Sequence, residues 1–263
     1  MENVVKSDIK PFKMYENIYF SGSTRVSVHF IKTEEGLVMI DAGYPDMYEQ
    51  ILESMKELEL NPKDICAIFH SHGHIDHFGC TEKFKELSGA KTYISRIDND
   101  ILNGTCNLSW AEELNYEILP FFNCDVLMED GDVFTFGSTK IRVRLTPGHT
   151  DGTMSFFIEV PGEEKPIIAA MHGGIGMNSM TAEFLKRKGL SLDAREIFRK
   201  GLHALKDEHV DLFLGNHPQQ NKTEEKLEAV LRGEDILDET EWDKFLVWIE
   251  EVLDGMLERE KSN

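Results

Sequence analysis

Basic residues are scarce in this chain, cysteines scarcer, and long apolar runs are absent. Its 263 residues carry 28 lysines and arginines against 48 aspartates and glutamates, a formal net charge of -20. A field of that sign repels phosphate backbones and anionic headgroups, so neither nucleic acid nor a membrane is expected as a partner. The four cysteines, Cys66, Cys80, Cys106 and Cys124, form no Cys-x-x-Cys pair and fall at no zinc-finger spacing. They read as reduced thiols, with Cys66 a small core residue. No run reaches the ~18 apolar residues of a membrane span, and the N-terminus has no basic stretch leading into an apolar one. A cytoplasmic location is expected from these absences. No Pro/Gly/Ser-rich linker, repeat or low-complexity stretch divides the chain. It is therefore expected as one domain over residues 1–263, closing with helices at about 222–260.

What is present alternates between strand and helix patterns. Ile18–Ser21, Val26–Ile31 and Leu37–Ile40 are β-rich runs separated by turn residues. A helix is predicted over Pro45–Leu58, with Ile51, Leu52, Met55 and Leu58 on one face. Ile65–His70 reads as a buried strand, Cys80–Leu87 as a helix and Lys91–Ser95 as a strand. Strands resume at Val133–Phe136, Ile141–Leu145, Thr153–Glu159 and Pro166–Ala170. Leu192, Ile197, Phe198, Leu202 and Leu205 recur at helical spacing, as do Trp242, Phe245, Leu246, Ile249, Val252, Leu253 and Met256. This order predicts an α/β fold, a four-layer αββα sandwich of two mixed sheets with helices outside.

Ten histidines are spread over the chain, yet four fall within Phe69-His70-Ser71-His72-Gly73-His74-Ile75-Asp76-His77-Phe78. The cluster follows a buried strand, whose end is a rigid support for ligands. His72 and His74 can share one ion through imidazole nitrogen, and Asp76 with His77 can hold a second beside it. Mixed imidazole and carboxylate donors suit zinc, and also iron or manganese. His70 is expected as a buried strand residue or a group behind the ligands. Three later histidines also stand at strand ends: His149 after Pro147-Gly148, His172 before Gly173-Gly174, and His217 in Gly215-Asn216-His217-Pro218. Each alone is weak, since a lone histidine is more often a satisfied core residue.

His72-Gly73-His74-Ile75-Asp76-His77 resembles the His-x-His-x-Asp-His signature of the metallo-β-lactamase superfamily. Ile40-Asp41-Ala42-Gly43 looks like that family's Asp-x-Gly turn, with Asp41 expected as a plain turn residue making no metal contact. Thr146-Pro147-Gly148-His149-Thr150 resembles its third-ligand loop, and the order of these elements agrees from about residue 18 to residue 218. The nearest likeness is to the lactamase subclass whose second metal is held by Asp, His and His. The resemblance implies two divalent metals, zinc first, with His72, His74 and His149 on one and Asp76, His77 and His217 on the other. Many family hydrolases have a bridging aspartate after the strand that here ends at Met171. This chain has His172 there, open as a ligand or a neighbour of the site.

The implied activity is hydrolysis of a small carbonyl substrate such as a lactam, lactone or thioester, through hydroxide generated at the metals. Asp76 would position that hydroxide. The alternatives are a mononuclear iron enzyme oxidising persulfides and a phosphodiester hydrolase. The long, weakly periodic stretch from Arg96 to Asn123 is expected to wall the substrate site, with Trp110, Phe121 and Phe122 beside Phe78 as candidate contacts.

Overall fold

A computed structural model describes residues 7–162 and 165–262. It contains two sheets packed face to face. The first runs β1 (Phe12–Tyr15), β2 (Ile18–Phe20), β3 (His29–Thr33), β4 (Gly36–Ile40), β5 (Ile65–Phe69), β6 (Lys91–Ser95) and β7 (Val126–Met128), in that spatial order. β1 to β4 pair antiparallel, and β4 to β7 pair parallel. The second sheet has five strands: β8 (Val133–Phe136), β9 (Thr139–Leu145), β10 (Met154–Val160), β11 (Ile167–Met171) and β12 (Leu212–Phe213). Its strands are antiparallel except the β11–β12 pair.

Strand alternation sorts side chains into layers. Val38 and Ile40 of β4 face the second sheet, where they join Phe69, Phe156, Ile158 and Met171 in the central core. Leu37 and Met39 turn outward to Ile51 and Met55 of α1 (Tyr48–Glu57) and Phe84 of α3 (Thr81–Ser88). On the second sheet, Phe157, Ala170 and Phe213 turn outward to Phe198 and Leu202 of α6 (Ala194–Ala204) and to Trp242, Phe245 and Leu246 of α8 (Glu241–Lys261). The result is helix, sheet, sheet, helix. Each fully buried Phe or Leu contributes about 1.5–3 kcal/mol relative to exposure, so the layers are held by dozens of small, non-directional terms. No helix among the described residues is long and apolar enough to cross a membrane.

Several local expectations change. The stretch 26–28 is extended but outside the ladder, because Ser27 N–H donates to Asn216 O instead. β1, β7 and α5 (Ala182–Lys188) emerge without a predicted counterpart. The two strands have four residues or fewer, too short for a period to show. Leu192 and Ile197 lie off the buried stripe and are exposed. The inward face of α6 is Ala194, Phe198 and Leu202. Cys66 is half-buried rather than core, and all four cysteines are unpaired.

Topology brings the chemistry to one end. The carboxyl ends of parallel β4, β5 and β6 lead to Asp41, to Ser71 and His72, and to Asp98. The ends of β9, β11 and β12 lead to His149, His172 and His217. Met154 N–H donates to Ser71 O across the two sheets at 2.8 Å, closing the central seam here. Ligand sites outside strand carboxyl ends are the rule in such sheets.

Candidate metal centre

Six side chains meet at this end. The donor atoms of His72, His74 and His149 lie within 4.8 Å of one another, and so do those of His72, Asp76 and His77. His72 stands at the junction, its ring 4.6 Å from His74, 4.2 Å from His77 and 4.6 Å from His149. His217 completes the far side, with Nε2 3.6 Å from Asp76 Oδ2. All but His149 and His217 are buried.

The outer nitrogens decide which way each ring offers its lone pair. His149 Nδ1 donates to Gly176 O at 2.9 Å, and His217 Nδ1 donates to Arg25 O at 2.7 Å. His77 Nδ1 donates to Asp41 Oδ2 at 2.7 Å. Ser71 Oγ donates to Asp41 Oδ2 at 2.8 Å and so accepts from His72 Nδ1 at 3.0 Å. All four rings thus have Nδ1 tied to oxygen and Nε2 aimed inward, and on His72, His149 and His217 that Nε2 is unprotonated, the tautomer that metal ligation requires. The clearest consequence is that the Nε2 atoms of His72 and His149 face each other at 3.1 Å. Two lone pairs at that distance repel unless a cation lies between or beside them, so the donor set fits a metal. A Cβ on either Gly174 or Gly176 would run into the His149 ring. The glycines after β11 are therefore the slot that admits this ring.

Electrostatics agree. Burial pushes the His149 imidazole down to about 4 and holds His72 and His74 well below the usual range, reinforced by their neighbouring rings. All three are neutral at pH 7, as ligands must be. Burial also opposes charge on His77, but the carboxylates of Asp76 and Asp41 overcome it and push the ring up to about 10. In turn His77 and His217 hold the Asp76 carboxyl far below its usual range against burial. A proton on His77 Nε2 answers the Asp76 carboxylate 3.3 Å away, and a bound cation would displace it.

Two carboxylates brace the ligand loops. Asp41, expected as a plain turn residue, is fully buried and sits in the left-handed region at φ 58°. It accepts from Ser71 N–H, Ser71 Oγ and His77 Nδ1, fixing two rings at once. Asp98 was not singled out from the sequence. It accepts from Gly73 N–H, Thr150 Oγ1 and Gly152 N–H, tying the first histidine loop to the third-ligand loop. Its only trace in the sequence is an Asp three residues past a strand whose neighbours carry the site. His70 Nδ1 donates to Tyr93 O at 2.8 Å and its Nε2 accepts from Thr81 Oγ1 at 2.7 Å, a structural tie behind the ligands.

His172 is turned away. Its ring packs 5.9 Å from Phe198 and 6.0 Å from Phe245 on the helix side of the second sheet. Burial pushes it down to about 3, and its Nδ1 accepts from Gly174 N–H. Met171 faces the central core, so the next side chain faces out. Among the aromatic candidates, Trp110 stands beside the site, 5.7 Å from the His74 ring and 5.1 Å from Phe184. Its backbone is left-handed at φ 63°, and its buried indole N–H meets no acceptor among the described residues. Phe78 and Phe122 pack on each other in a small cluster under the 96–123 segment. Phe121 is 63% exposed and lies over Gly104. The last three are packing residues rather than contacts of the centre.

Strand-end imidazoles and carboxylates between two sandwiched sheets define a candidate metal centre in an αββα fold. The metallo-beta-lactamase superfamily model matches residues 22–162, more than half of the chain, and the chain belongs to that superfamily. The native FEZ-1 metallo-beta-lactamase from Legionella gormanii superposes with a TM-score of 0.87 over 98% of this chain and 99% of that one, at 21% identity. BJP-1, a subclass B3 metallo-beta-lactamase of Bradyrhizobium japonicum, gives 0.85 over 99% and 98%, at 22% identity. At such identities these likenesses establish the fold. A hydroxyacylglutathione hydrolase of Maricaulis maris is 32% identical over 98 residues, 37% of this chain and 31% of that one. The "Probable polyketide biosynthesis zinc-dependent hydrolase BaeB" of Bacillus velezensis is 26% identical over 128 residues, 48% and 47% of the two chains. The chain thus spans from about a third to a half of these two relatives.

Proposed function

We propose that this protein is a metal-dependent hydrolase acting at the carbonyl group of a small lactam, lactone or thioester. His72, His74 and His149 hold one cation, and Asp76, His77 and His217 hold a second. The observation that carries the reading is the set of four imidazoles whose outer nitrogens are tied to oxygen and whose Nε2 atoms point inward. The zinc-dependent hydrolase among the relatives supports zinc.

Divalent cations in such a site supply a Lewis acid and a water acidified to near neutrality. The chain's own residues do the rest. Asp76 stays ionised and accepts a hydrogen bond from the attacking water, which orients it toward the carbonyl. Asp41 and Ser71 keep His77 and His72 in the ligating tautomer. Asp98 holds the two loops at a fixed separation, so the reacting groups need no rearrangement. The acidic surface disfavours a phosphodiester, which brings its own negative charge.

Metal analysis of the purified protein, followed by assay against lactam, lactone, thioester and phosphodiester substrates before and after chelation, tests the proposal. Two equivalents of zinc, with hydrolysis of a carbonyl substrate lost on chelation and restored by zinc, is the expected result. One equivalent of iron without hydrolysis would overturn it in favour of a mononuclear iron redox enzyme.

A further inference from the structure

Beside the centre opens a cavity of about 350 Å³ with His74 and His149 at its inner end. This is near the small end of ligand pockets, about 300–1,000 Å³. Its floor is apolar: Ile101 and Leu108 from the 96–123 segment face Phe184, Leu185, Leu190 and Ile197 across the gap. No lysine or arginine lines it. The cations on the flanking helices are committed or remote. Lys188 and Arg187 of α5 pair with Glu113, and Arg195 of α6 pairs with Glu260. Lys186 and Lys200 are exposed and outside the lining. Asp100 and Asp151 stand exposed in the wall. The third acid there, Asp98, is buried and fully engaged with Gly73, Thr150 and Gly152.

We infer that this cavity takes the acyl arm of the substrate, and that the arm is apolar and uncharged. The inference deepens the hydrolase reading and rests on it only for the reaction. An arm bearing a carboxylate would meet no cation and two acidic side chains, whereas an alkyl arm loses water against six apolar side chains. The carbonyl at the head of the arm then lies at the His74–His149 end. Lactones and thioesters with neutral alkyl acyl arms fit this wall well, whereas the same esters with a carboxylate at the end of the acyl arm fit it poorly.

Binding of straight-chain primary amides, butanamide to decanamide, to the protein as purified tests this by calorimetry without turnover. Affinity is expected to rise about three- to fourfold per methylene until the cavity is full. Monoamides of dicarboxylic acids of the same length, which put a carboxylate at the far end, should bind at least about tenfold more weakly. Ile197→Asp, at a side chain 41% exposed and therefore tolerant of charge, should flatten the length dependence while metal content stays unchanged. Ala194→Trp, which fills the cavity from α6, should do the same. Affinity independent of length, or equal binding of the carboxylate-ended arms, would overturn the inference. Length-dependent binding with no hydrolysis of any carbonyl substrate would leave it standing and overturn the hydrolase reading. Equal hydrolysis of lactones with neutral and with carboxylate-ended acyl arms, untouched by Ile197→Asp, would do the reverse.

Discussion

The first histidine loop and the 96–123 segment both leave carboxyl ends of parallel strands in the same sheet, yet the ligand loops and the segment are held in different ways. In the loops, almost every polar atom is spoken for: Asp41 alone accepts three hydrogen bonds from two consecutive elements. The 96–123 segment has one short helix, α4 (Asn99–Leu102), and is fastened by a small apolar cluster of Ile75, Phe78, Ile101, Leu102 and Ala111. Ile97, Leu114, Ile118 and Phe121 remain exposed along it. Directional bonds fix donor atoms to fractions of an ångström. Apolar contacts fix a wall only roughly and tolerate different shapes against it. Under the proposed function, chemistry would sit on the first region and selectivity on the second. Asp98 joins them, since it belongs to the segment and bonds into two ligand loops.

This contrast breaks first at Asp76. Asp76→Asn should lower turnover at least a hundredfold, the lower end of what a positioned acid–base group contributes, about 10²–10⁴. The fold should survive, because asparagine keeps the buried side chain's shape and the layers are held by the apolar clusters on both sheets. Circular dichroism and metal content beside the rate would check this, and near-normal turnover at full metal content would refute it. Next comes Asp41→Asn. Asparagine tolerates the left-handed backbone there as well as aspartate does, so the change isolates the charge and the acceptor. Metal affinity or activity should fall about 10–100-fold, as for other groups behind metal ligands, read by competition with a chromogenic chelator.

Substitutions in the 96–123 segment should act on KM and stability rather than on metal. Trp110→Ala removes the ring beside His74; KM should rise about tenfold with metal stoichiometry unchanged, in the range of one lost apolar contact. Phe122→Ala should cost stability, about 1–3 kcal/mol by chemical denaturation, and leave substrate preference alone. Phe121→Ala, at an exposed ring, should stay within about 0.5 kcal/mol. Loss of metal in any of the three would dissolve the distinction between the regions.

The same contrast explains what could be read in advance. The four-layer fold was legible because β9 alternates, β10 is a nearly continuous buried run and α8 repeats its apolar face over 21 residues. The histidine cluster was legible because ligating residues must be bunched at strand ends, and the six side chains named from it are brought together. Asp98 was not, because one aspartate near a strand end carries no pattern; only the fold shows which two loops it bridges. His172 stayed open because a single residue of register decides whether it faces the site or the α6–α8 layer, and sequence does not carry that register. The aromatics of the 96–123 segment could not be sorted in advance because irregular backbone has no period. Of Trp110, Phe121 and Phe122, only Trp110 stands beside the centre.

The account turns on two cations held by six side chains with His172 outside. Diffraction from zinc-loaded crystals at the zinc absorption edge measures this directly. Two anomalous peaks are predicted, one bonded to His72, His74 and His149 and one to Asp76, His77 and His217, at about 2.0–2.2 Å from nitrogen or oxygen. A single peak, or a peak bonded to His172, would contradict it.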